Sequence, residues 1–155
     1  MAKLTQLMLK TVLRQLPLLT LALWWGGLTF YSAIVVPIGA DRFGATDQGF
    51  VTRDVTRVLN GLGAIAALAW GVRAFCDRNR LMLGAAATIL ATVGLLTLLH
   101  VQLDSMLDHA HTSVDDGPRF YFWHRLYLLG TALQWLVGVI IFLTPWRERT
   151  LKSSE

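Results

Sequence analysis

The chain has 155 residues, of which 54% are hydrophobic and only 15% are charged, and its formal net charge is +4. Soluble domains carry about 25% charged residues, so this composition excludes an ordinary water-soluble globule. The basic residues flank apolar runs instead of forming one patch, so the sequence does not indicate nucleic-acid binding.

Four long apolar runs follow one another along the chain, and each predicts a transmembrane helix. A bilayer core requires about 20 apolar residues in a helix. The second run reaches this length only if Arg73 extends its charged end to the lipid headgroups. We therefore predict an all-α fold, an integral membrane antiparallel four-helix bundle in a single domain, with helices at about 15–36, 57–76, 81–103 and 122–145.

The three connections between these helices differ in length and composition. The first, 37–57, is long enough to contain structure of its own, and its Gly, Asp and Thr residues predict a turn before a short helix capped by Asp47. The second, CDRNR, is tight, which makes the second and third helices antiparallel neighbours. The third, 104–119, contains DDGP, a strong turn signal.

The distribution of basic residues predicts the orientation in the membrane. With four spans, the termini and the second connection share one side, which holds nine of the 14 Lys and Arg residues. By the positive-inside rule, both termini are then cytoplasmic. Because the chain is short and shows no organellar targeting features, we expect the membrane to be a bacterial inner membrane.

All four histidines lie close together in the sequence, at the end of the third run, in the third connection and at the start of the fourth run. His100 and His124 each lie about 20 residues from the cytoplasmic end of their helix, so they should share a depth at the outer face. If the third helix continues beyond the membrane, three further side chains lie on the same helix face as His100: Asp104, Asp108 and His111.

Three interpretations of this group of residues stay open. In the first, imidazole and carboxylate groups bind a divalent metal cation, and the candidate ligands are His100, Asp104, Asp108, His111 and His124. In the second, His100 and His124 are the axial ligands of a b-type haem between facing helices. In the third, the polar residues form a hydrogen-bonded clasp, with Arg57 and Arg125 as counter-charges for the aspartates. His109 and His111 lie on the loop side beside solvated charges, which favours a structural role for both.

The fourth helix carries a polar stripe, in which His124, Tyr127, Thr131 and Gln134 recur at spacings of three or four residues. In lipid, such side chains usually face the interior of a bundle, where they find hydrogen-bond partners. The candidate partners are Asn60, with Arg57 or Thr56, on the second helix and Thr29 or Ser32 on the first.

Motifs of the common enzyme classes are absent: the sequence has no phosphate-binding glycine loop, no G-x-S-x-G and no H-E-x-x-H. The sequence therefore favours a non-enzymatic membrane protein, an accessory or partner-binding subunit in contact with lipids and with other membrane subunits. A metal-binding or haem-binding electron-transfer protein is the alternative.

Three segments of the chain carry a resemblance to a known family. They are LALWWGGLTFYSAIVVP in the first helix, Phe43 with the segment 47–57, and FYFWHRLYLLGTALQW in the last helix. In these segments the chain resembles the four-helix membrane family of unknown function that includes transmembrane protein 205. The resemblance implies a four-span architecture and marks His124 and Arg125 as positions that match the family's pattern, but it implies no activity.

Overall fold

The computed structural model describes residues 2–108, 113–114 and 117–152, with side chains for 12, 15–107, 113 and 117–144. Almost all of this part is helical: α1 (Ala2–Phe30), α2 (Val36–Phe43), α3 (Ala45–Cys76), α4 (Arg80–Asp104) and α5 (Gly117–Lys152). Two strands of two residues, β1 (Leu107–Asp108) and β2 (Ser113–Val114), pair antiparallel between α4 and α5. The predicted all-α bundle is confirmed.

Four helical segments are long and apolar enough to cross a membrane: Gln15–Phe43, Ala45–Cys76, Arg80–Asp104 and Gly117–Thr144. In an apolar 18-residue stretch of each segment, only about a fifth to a third of the residues are buried inside the bundle, so most of the stretch is not covered by the other helices. An apolar surface of this extent is stable in lipid and not in water. Length and composition therefore identify an integral membrane protein.

The chain between 37 and 57 is helical except at one residue, so the turn-rich loop predicted there is confined to a single position. Gly44, with φ 88°, separates α2 from α3 and adopts a backbone conformation that only glycine enters without strain. Asp47 lies in the first turn of α3 and does not cap it; the N-cap is Gly44, and no side chain caps the helix. Its carboxylate still stabilises α3, because a negative charge interacts favourably with the positive N-terminal end of the helix dipole.

A short π-helical segment, Tyr31–Val35, joins α1 to α2. The N–H of Val36 donates to the carbonyl of Tyr31, five residues earlier. Pro37 has no N–H for the regular bond to the fourth preceding residue, so the helix widens at this point instead of ending. As a result, α1 and α2 form one helical path and continue beyond the predicted end at 36.

α3 lies at the centre of the packing, because it contacts α1, α2 and α4, while α5 packs mainly on α4. Buried residues from all four spans form the main core: Leu21, Trp24, Ala66, Ala67, Trp70, Ile89, Val137 and Ile141. The seam between α1 and α5 has fewer contacts than the other seams. We call the end of the bundle at the α2–α3 and α4–α5 connections the distal end.

Two tryptophans of α1 determine how closely the neighbouring helices approach. A Cβ on Gly63 would lie 2.6 Å from Nε1 of Trp24, and a Cβ on Gly138 would lie 2.5 Å from Cδ1 of Trp25. Trp25 also stacks on Trp135, with ring centroids 5.4 Å apart. The two indole rings therefore pack directly against the backbone at Gly63 and Gly138, where any side chain would clash with them.

Candidate functional site

The first half of α3 carries a row of polar side chains that bond to each of the other spans. Its members bond to the π segment, to α4 and to α5: Gln48, Thr52, Arg53, Arg57 and Asn60. A polar group buried in lipid is stable only with a hydrogen-bond partner. The row therefore accounts for how α3 is joined to the rest of the bundle at the distal end.

Gln48 forms the part of the row that contacts the π segment. It is 4% exposed, and its Nε2 donates to the hydroxyl oxygens of Tyr31 and Thr52, each at 3.3 Å. The Tyr31 hydroxyl in turn donates to Thr52 Oγ1 at 3.2 Å. A Cβ on Gly39 would overlap the Gln48 amide, so the amide fits here because residue 39 has no side chain. Three polar groups are thus bonded to one another inside the protein.

Five charged or titratable side chains form a second part, which we call the rim cluster: Arg53, Asp54, Arg57, His100 and Asp104. Arg53 Nη1 lies 3.2 Å from Asp104 Oδ1, and Arg57 Nη2 lies 3.7 Å from Asp104 Oδ2. Arg53 Nη2 also lies 3.1 Å from Asp54 Oδ1. The carboxylate at the end of α4 is therefore held between two guanidinium groups of α3, one for each of its oxygens.

The ring of His100 accepts a hydrogen bond from α3. Arg57 Nη2 lies 3.3 Å from His100 Nε2. Because a guanidinium has only N–H donors, Nε2 must be the acceptor, which puts the imidazole proton on Nδ1 and makes the ring neutral. In this arrangement the Nε2 lone pair of His100 points toward Arg57.

Tyr127 extends the network to α5. Asn60 Nδ2 donates to the Tyr127 hydroxyl at 3.0 Å, as predicted for the polar stripe of the fourth helix. The rings of Tyr127 and His100 lie 6.4 Å apart between centroids, tilted by 55°. Tyr127 is buried, and this contact connects the rim cluster to the interior of the bundle.

His124 is half-buried on α5, three residues before Tyr127. Its ring stacks on Phe120, with centroids 5.8 Å apart and planes 9° from parallel. Within the described side chains, no contact joins this ring to that of His100. The use of the two imidazoles as a facing pair therefore stays a prediction.

The predicted alignment of His100, Asp108 and His111 on one helix face requires α4 to continue beyond the membrane. Instead, α4 ends at Asp104, so these residues do not share one continuous helix. The Ser105 hydroxyl donates to the carbonyl of Gln102, which satisfies one carbonyl of the last turn. The chain then enters β1, where Asp108 pairs with Ser113 through the backbone. His109 and His111 lie outside the described residues, as does the side chain of Asp108.

Within the part of the chain that the structure describes, no three His, Cys, Asp or Glu side chains are placed to hold a metal ion together. His100 and Asp104 are close enough to share Arg57, but neither has a third ligand beside it there. Metal binding and haem binding both stay predictions.

Sequence reasoning identified part of this site and missed the rest. Arg57 is a counter-charge for Asp104, as predicted. The closer partner, Arg53, was missed, although its position one helical turn before Arg57 places both on the same face. The pairing of Arg125 with Asp108 is not tested, because the Asp108 side chain is not described.

Comparisons of the chain with protein-family models, with curated proteins and with solved structures find no match. The resemblance to the family of transmembrane protein 205 therefore stays a prediction.

Proposed function

We propose that the protein is a non-enzymatic accessory or partner-binding subunit of a membrane assembly, and that its rim cluster is a clasp that holds α3 to α4. The observation that carries the proposal is the internal pairing of the cluster. Two arginines and two aspartates neutralise one another, and His100 is bonded as a neutral ring. Partly exposed ion pairs of this kind contribute at most about 1 kcal/mol each, and their charges are balanced without a ligand.

The clasp is tested by a double-mutant cycle on the ion pair of Arg53 and Asp104. We expect Arg53→Gln and Asp104→Asn to lower the stability of the purified protein, and the double variant to lose less than the sum. Both side chains are partly exposed, so the coupling should be about 0.5–1 kcal/mol. Thermal unfolding in mild detergent measures it. A coupling of zero would contradict the clasp.

The cofactor alternative is tested on the same preparation by a UV–visible spectrum and elemental analysis. The proposal expects neither a Soret band nor a stoichiometric metal. A Soret band that disappears in His100→Ala or His124→Ala would overturn the proposal in favour of haem binding. A stoichiometric colourless metal that is lost in His100→Ala would overturn it in favour of a metal site.

The subunit role is tested by extracting the membrane directly into polymer-bounded nanodiscs and measuring the masses by native mass spectrometry. We expect the chain in a complex of fixed stoichiometry with another membrane protein. Arg53→Gln should dissociate this complex only under conditions in which the variant itself has begun to unfold. Recovery of the chain only as a free monomer would contradict the subunit role.

The proposal places both termini in the cytoplasm of a bacterial cell and the distal end on the outer side of the inner membrane. It is supported by the excess of basic residues on the side of the termini, nine of 14.

A further inference from the structure

An open groove of about 560 Å³ lies between α1 and α3, near the end of the bundle that carries the termini. Its walls are apolar and consist of Leu16, Pro17, Leu68, Ala69 and Val72. Both helices are membrane spans by length and composition, so the groove opens toward the acyl chains of the bilayer. A hydrocarbon chain fits such a surface better than water does.

The polar residues of the groove, Arg73 and Asp77, lie at the C-terminal end of α3. Arg73 Nε lies 3.4 Å from Asp77 Oδ2, and the two side chains are 36% and 60% exposed. A guanidinium has five N–H donors in a planar fork, so Arg73 can donate to phosphate oxygens while it keeps its contacts within the protein, the ion pair with Asp77 among them. The groove therefore combines an apolar channel with a phosphate donor at one end.

The charge near this end is positive. Arg78 and Arg80 follow in the connection to α4, and Asp77 is the single acidic residue between 55 and 103. The first 40 residues, which include the α1 wall of the groove, contain three basic residues and no acidic residue. Such a balance favours anionic lipids over zwitterionic ones.

We propose that this groove binds an anionic phospholipid, with one acyl chain along the apolar walls and the phosphate at Arg73. The apolar walls bind the acyl chain, and the Arg73 guanidinium binds the phosphate. The positive surroundings select a net negative headgroup over a zwitterionic one. The site is independent of the rim cluster, which lies at the other end of the bundle.

The proposal is tested by native mass spectrometry of the full chain in detergent, titrated with phosphatidylglycerol or with phosphatidylcholine. We expect wild-type protein to bind phosphatidylglycerol more tightly. Arg73→Gln should weaken that binding about fivefold, since one basic residue near an anionic surface contributes about this factor. Asp77→Asn should strengthen it. Equal binding of the two lipids by wild-type protein would overturn the proposal.

Two matched controls separate a built site from diffuse attraction. Arg80→Gln removes the same charge at the same end but outside the groove, and it should weaken binding much less than Arg73→Gln does. Val72→Trp fills the groove and should reduce binding of both lipids. Val58→Trp makes the same change at an equally exposed position of α3 outside the groove, and it should not. If either control matched its partner, the lipid would be attracted diffusely, and the proposal would be wrong.

Discussion

Glycine at position 63 is required because a rigid indole ring lies against it. Gly63→Ala would place a methyl group 2.6 Å from Trp24 Nε1, and Trp24 is 1% exposed and cannot move aside. We expect a loss of about 1–3 kcal/mol, seen as a lower thermal midpoint in detergent. Gly61→Ala is the matched control, since a Cβ there meets nothing within 4 Å and should be neutral or slightly stabilising. Equal losses would show that the indole does not fill the space beside Gly63.

Two buried glutamines differ in whether their amides have partners. Gln48 donates to Tyr31 and Thr52, whereas Gln134, 1% exposed, has no partner for Nε2 within the described residues. An unpaired buried donor costs about 1–3 kcal/mol. We therefore expect Gln134→Met to raise the thermal midpoint and Gln48→Met to lower it. A lower midpoint for Gln134→Met would mean that its amide has a bonding partner in the membrane.

At the scale of the elements, paired tryptophans hold the seam between α1 and α5. Trp25 Nε1 donates to the carbonyl of Trp135 at 3.1 Å, and Trp135 Nε1 donates to Thr29 Oγ1 at 2.9 Å. Stacked aromatic pairs contribute about 0.5–1.5 kcal/mol beyond their buried area. Because other contacts across this seam are few, the pair should determine how closely the two helices stay together.

We expect Trp135→Leu to widen the distribution of distances between α1 and α5. Spin labels at Leu23 and Leu136, both exposed, would report it in a Cys76→Ser background by electron spin resonance. Trp123→Leu is the control, because Trp123 packs on α4 and α5 away from the seam. A similar broadening in both variants would show that the tryptophan pair does not hold the seam.

At the scale of the whole molecule, an even number of spans places the termini and the α3–α4 connection on one side. Cys76 lies exposed at this connection. A maleimide that cannot cross membranes should label Cys76 in inverted inner-membrane vesicles and not in intact spheroplasts, if the termini are cytoplasmic. Ser113→Cys in a Cys76→Ser background should show the opposite accessibility. Labelling of Cys76 in spheroplasts would reverse the proposed orientation.

The sequence was sufficient for the number of spans, and it included the partners of two bonds between them among its candidates. Uncharged runs of about 20 residues are stable in lipid as helices, because a helix of this length crosses the bilayer and satisfies its own backbone hydrogen bonds. Arg57 was predicted as a counter-charge of the aspartates, and Asn60 was one of several candidate partners of the stripe that includes Tyr127, since each polar side chain in a span needs a partner at its own depth. In the segment 37–57 the helix near Asp47 was predicted, but the part before it was not, because its Gly, Asp and Thr residues resemble a loop, although it is helical up to Phe43.

The remaining contacts depend on how each helix is rotated and how deeply it sits against its neighbours. Trp25 and Trp135 are 110 residues apart, and Tyr31 and Gln48 meet only because the chain turns back at Gly44. Composition and hydropathy determine which segments enter the membrane, since transfer into lipid depends on each segment alone. The partners of individual side chains depend on close packing between helices, in which a single glycine decides whether an indole fits.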